Sequence, residues 1–140
     1  AVSHVATGAV LSAGEIGGSV VNVATNTLRA AVAGVSDVGG DTITAIRKAA
    51  RGIVAGAAEV GGDVGQVAVA TIDGAVKAAG DVGTDTTKAT QAAVVGVIRA
   101  ADRAESAAGT SVRKALLSTA SLPRDVIESA LKGSGEKPVA

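Results

Sequence analysis

DVGGDTITAIRKAARGIVAGAA, residues 37–58, carries two signals at once. Its apolar positions Val38, Thr42, Ile46, Ala49, Ile53 and Ala57 recur in steps of three or four, and Ala50 and Val54 widen the row. Arg47, Lys48 and Arg51 lie opposite, so the stretch reads as an amphipathic helix. Val and Thr also favour strands, but the period-2 alternation of a strand is absent and Ala is abundant. The second signal is the opening: an acid, an aliphatic residue, two glycines and a further Asp.

That opening recurs at one fixed spacing. EIGG begins at Glu15, DVGG at Asp37, EVGG at Glu59 and DVGT at Asp81. Four units follow, 15–36, 37–58, 59–80 and 81–102. Residues 1–14 read as a partial leading unit and 103–120 as a degenerate fifth helix. A short C-terminal helix is expected over 121–133, with Pro123 near its first turn, followed by a polar tail at 134–140. The short helix reads as a capping element on the last unit, a docking peptide being the alternative. The fold expected is all-α, built from tandem 22-residue amphipathic helical repeats.

Two geometries suit the junctions at Gly17, Gly18, Gly39, Gly40, Gly61, Gly62 and Gly83. A 22-residue period completed in six turns fits a nearly straight continuous helix bent at the glycines. Each Gly inside a helix, however, costs about 0.8–1 kcal/mol. A turn uses the same residues well: Gly ends one helix, and Ser19, Asp41, Asp63 or Asp85 caps the next. Acids open the units while Arg29, Arg51, Lys77 and Arg99 sit late, as separate helix dipoles favour. Helices of roughly 17 residues joined by turns are therefore expected, about 25 Å long each.

Composition narrows the functions. The chain has 140 residues, 13 Lys+Arg against 13 Asp+Glu, one His and 19 Gly, and no Phe, Trp, Tyr, Cys or Met. Thiolate chemistry, disulfides, Cys-based zinc sites and aromatic stacking on bases are excluded. Zero net charge gives no overall electrostatic footprint for nucleic acid. Arg47, Lys48 and Arg51 form the densest basic group, flanked by Asp37, Asp41 and Glu59, and read as a solvated helix face. Mean hydropathy is positive, +0.41. No apolar run is long enough to span a membrane, and residues 1–20 lack a basic segment before an apolar one. A cytoplasmic protein is expected, with a processed precursor as the alternative.

Catalytic chemistry finds little to build on. His4 is the only histidine, and nothing positions a Ser and an Asp around it. Asp37 and Asp41 share a helix edge, but carboxylates at every junction read as caps. The run from Glu59 to Gly65 is glycine-rich without the preceding strand or following Lys-Thr of a phosphate loop. Each junction offers too few oxygens for calcium. No enzyme, cofactor, metal site or small-molecule substrate is expected.

The texture of residues 20–40, VVNVATNTLRAAVAGVSDVGG, resembles the 11-residue apolar repeats of synucleins. Its 22-residue unit is similar to that of exchangeable apolipoproteins. That likeness implies reversible helix formation on lipid. The chain lacks the Lys-rich KTKEGV core of the first and the Pro punctuation of the second. Residues 15–102 also resemble uncharacterised bacterial proteins with repeated EIGGD-type units, which implies no activity.

The reading that follows is a structural protein that self-associates into a filament, tube or other homo-oligomer. Its association face is expected at Ile46, Ile53, Ile72, Val76, Val94, Val97 and Ile98. The alternative is a peripheral amphipathic-helix coat on a membrane, lipid body or storage granule. The partner is thus the chain itself, with a lipid surface second and nucleic acid excluded.

Overall fold

The structure, a computed structural model, describes residues 20–59, 63–104, 106–119, 122 and 124–133. Gly17, Gly18, Ser19, Gly61, Gly62, His4, the leading unit and the polar tail lie outside the described residues. Within them the chain is all-α. Six helices follow one another: α1 (Val20–Asp37), α2 (Thr42–Glu59), α3 (Val64–Val82), α4 (Thr86–Ala104), α5 (Ser106–Ser118) and α6 (Arg124–Gly133). The first four begin one sequence repeat apart, at Val20, Thr42, Val64 and Thr86.

Local chemistry explains where these helices stop and start. Gly39 and Gly83 adopt left-handed backbone with φ of +70° and +74°, which terminates α1 and α3. Beyond each glycine the chain closes back: the Gly40 N–H donates to the Val35 carbonyl and the Thr84 N–H to the Ala79 carbonyl, both at 2.9 Å. The next helix is then capped by an aspartate. Asp41 accepts from the Thr44 N–H at 3.2 Å, Asp63 from the Gln66 N–H at 3.0 Å, and Asp85 from the Thr87 and Lys88 N–H groups. Turns therefore occupy the junctions at 38–41 and 83–85.

The helices run slightly longer than expected, with 18 residues in α1 and α2 and 19 residues in α3 and α4. α4 also crosses the unit boundary at 102 and ends at Ala104. There Arg103 replaces the opening acid and Glu105 the first glycine, so the stop signal is missing. The fifth helix consequently starts at Ser106 rather than Arg103.

Packing links alternate helices most closely. The largest interfaces are α2 with α4 and α1 with α3; each helix touches its neighbours one and two places away and none further, among the described residues. α1, α3 and α5 thus form one row and α2, α4 and α6 another. Members of a row run in the same direction: Gly74 and then Asp81 of α3 meet Thr25 and then Arg29 of α1.

Among the described residues the core is built from aliphatic side chains, Thr and Gly. Leu28, Ile46, Ile53, Ile72, Ile98, Leu116 and Ile127 are its largest fully buried side chains. Each contributes about 1.5–3 kcal/mol by leaving water. Small residues between them let helices approach closely. A Cβ on Gly74 would lie 3.3 Å from the Thr25 Cα, and one on Gly96 would run into the Arg47 carbonyl oxygen. Thr71 and Thr90 are buried without loss, because their hydroxyls donate to the Val67 and Thr86 carbonyls at 2.7 and 2.8 Å. α6 closes the far end, burying Ile127, Ala130 and Leu131 while packing on α4 and α5.

Candidate functional site

The residues expected to form an association face are distributed by the fold in one telling way. Ile46, Ile53, Ile72, Val94, Val97 and Ile98 are 0–1% exposed, packed against other helices of the same chain. Val76 is half-buried and lines a hollow of about 200 Å³ between α3, α4 and α6. These apolar side chains are thus packed inside the single chain.

Equivalent places in successive units differ in exposure. Gly52, Gly74 and Gly96 are buried, whereas Ala30, at the same place in α1, is exposed. Gly56, Ala78 and Ala100 are buried, whereas Gly34 is exposed. Val23, Thr27, Ala31 and Val35 are half-buried where their counterparts in α2, α3 and α4 are buried. In α3 and α4 this face receives the helix two places earlier, through Gly74 on Thr25 and Gly96 on Arg47. On α1 it is exposed at Ala30 and Gly34 and covered by no described helix.

A second irregularity lies at the other end of the same row. Ser118 stands one unit after Gly96, and Val69 one unit after Arg47. Where glycine is replaced by serine, the close approach is lost. α3 and α5 still touch at Gly65 and Ala115, but a groove of about 580 Å³ opens beside Val69, Ala70 and Ser118. Sequence reading missed both features, although the unit register contained the signal for Ser118.

Ion pairs join helices both within and between the rows. Along α1 and α3, Arg29 pairs with Asp81 at 2.8 Å and Lys77 with Asp73 at 2.9 Å. On α4, Asp102 is engaged by both guanidinium nitrogens of Arg113 from α5. The Asp41 carboxyl titrates below its ordinary 3.8, first because the Thr44 hydroxyl donates to it at 2.7 Å and next because the Thr44 N–H does. Arg47 adds a smaller attraction.

Among the described residues, no group of three or more His, Asp or Glu side chains is placed to hold a metal ion. No described helix is long and apolar enough to cross a membrane. Compared with protein-family models, with curated proteins and with solved structures, the chain matches none.

Proposed function

We propose that the chain is a non-enzymatic structural protein that associates with its own copies end to end. The observation that carries this reading is the exposed small-residue face of α1 at Ala30 and Gly34, set against the buried glycines at the same place in later helices. The described helices touch only their near neighbours, an open stack in which a face that no described helix covers has the same appetite for a partner as an internal one. Zero net charge offers no long-range opposition.

We assign the counterpart surface to the α3–α5 groove at Val69 and Ala70. Among the described residues no helix covers the α1 face, and the groove lacks a following glycine, so each is one half of the contact that Gly74 and Gly96 complete. A contact between two different surfaces is head-to-tail and propagates into a filament unless it closes into a ring. The lipid-coat reading has weaker support, because Ile46, Ile53 and Ile72 would have to leave the core to enter an interface.

Light scattering and negative-stain imaging of the purified protein test the proposal. Defined particles or polymers are expected, and Ala30→Glu or Val69→Glu alone should stop growth while leaving helicity intact. Mixing the two variants should yield dimers only, since each retains one intact surface. Growth unaffected by either substitution would overturn the assignment.

A further inference from the structure

The outer surface of α2 and α4 gathers six basic side chains. Its solvent stripe includes Arg47, Lys48 and Arg51 on α2, and Lys88, Arg99 and Arg103 on α4, all exposed or half-exposed. No ion pair joins any of the six to a carboxylate among the described residues. The acids nearby are committed or peripheral. Asp41 and Asp85 cap helices, Asp41 also attracting Arg47, Asp102 is held by Arg113, and Glu59 sits at the C-terminal end of α2.

The register sharpens this. Arg29 and Asp81 pair across α1 and α3, and the residues one unit later are Arg51 and Arg103. The place that joins opposite charges in one row therefore sets two guanidinium groups in the other. α2 and α4 are bound tightly enough to keep them there: Gly96 rests on the Arg47 backbone, and the Thr42 and Thr84 hydroxyls share a hydrogen bond of 2.8 Å. Two arginines at the register of a paired Arg and Asp, with no carboxylate ion pair among the described residues, suit a shared phosphate oxygen acceptor.

We propose that the outer face of α2 and α4 docks on an anionic membrane surface, with Arg51 and Arg103 at its centre engaging lipid phosphate. A bilayer fits better than nucleic acid for three reasons. The cations are spread over two parallel helices, with the half-buried Ala55, Ala58 and Val95 on the same helices, and the described residues on this face are all helical. The chain has no aromatic side chain to stack on a base. Its net charge is zero, so the one-sided distribution orients it at a charged plane without drawing it to any polyanion at a distance. Val38 is the single exposed large apolar residue among those described, so attachment is by charge and does not insert. This inference is independent of end-to-end association.

Vesicle co-sedimentation provides the test, using phosphatidylcholine with and without phosphatidylserine. Binding should require phosphatidylserine and weaken as salt rises. Removing one basic residue at such a surface lowers partitioning about fivefold, so Arg51→Gln with Arg103→Gln should lower it roughly 25-fold. The control Arg29→Gln should leave it unchanged, and circular dichroism should show all variants equally helical. Equal binding to phosphatidylcholine alone, or an unchanged double variant, would overturn the proposal. So would tighter binding to duplex DNA than to phosphatidylserine vesicles at the same salt, which would assign the face to nucleic acid.

Discussion

Gly96 of α4 rests against the backbone of Arg47 in α2, and one unit earlier Gly74 of α3 rests in the same way against Thr25 of α1. One contact, repeated, holds both rows together in a core that has no aromatic side chain. It also states what a side chain at that place would do.

Gly96→Ala should destabilise the protein by about 1–3 kcal/mol, because the new Cβ meets a backbone carbonyl that cannot swing away. The helix-propensity gain of roughly 1 kcal/mol is outweighed. Gly80 offers the opposite case, an exposed helical glycine with nothing within 4 Å of its would-be Cβ. Gly80→Ala should stabilise by about 0.5–1 kcal/mol. Urea unfolding of the two variants separates steric from propensity effects, and a shared sign would contradict the packing.

Gly83 has empty space around its would-be Cβ yet sits at φ +74°. Its substitution cost is therefore conformational alone. Gly83→Ala should lose about 1–2 kcal/mol, as an L-residue does in left-handed backbone. Thermal unfolding measures it, and an unchanged midpoint would mean the turn at 83–85 is not formed.

Asp41 predicts a pH dependence. Its folded value lies below its ordinary one, owing first to the Thr44 hydroxyl and then to the Thr44 N–H. Its contribution is present above the unfolded value and is lost as pH falls through the lower folded value. Carboxyl NMR titration should find a midpoint under 3.8 that moves upward in Thr44→Val. A midpoint indifferent to Thr44→Val would remove the hydroxyl as the cause.

Ile53→Asp distinguishes fold from interface. Ile53 is fully buried inside one chain. An unpaired charge there should abolish folding, at a cost of at least about 4 kcal/mol. Loss of far-ultraviolet helicity at every protein concentration is expected. A helical monomer would instead place Ile53 at a contact between copies.

Helix class and helix starts were legible because every signal is local. The spacing of Val38, Ile46 and Ile53 defines a face, and Gly39 followed closely by Asp41 defines a stop and a cap. The partner of that face was not legible. Nothing within residues 37–58 says that α2 meets α4 more closely than α3, and the bond from Arg29 to Asp81 spans 52 residues. For the same reason Arg51 and Arg103 belong to separate helices in the sequence and to one surface in the fold. The face at Ile46 and Ile53 was correctly apolar, but whether it closes within one chain or between copies depends on the turn direction, which composition does not encode.

The open face of α1 is the centre of the functional account, and one label tests it. The chain has no cysteine, so Ala30→Cys offers a unique site for a nitroxide on an exposed helical position. Electron paramagnetic resonance should show that label immobilised at high protein concentration and mobile on dilution, in step with particle size. A label equally mobile at every concentration, in a preparation that scattering shows to be assembled, would mean that α1 does not receive a second copy.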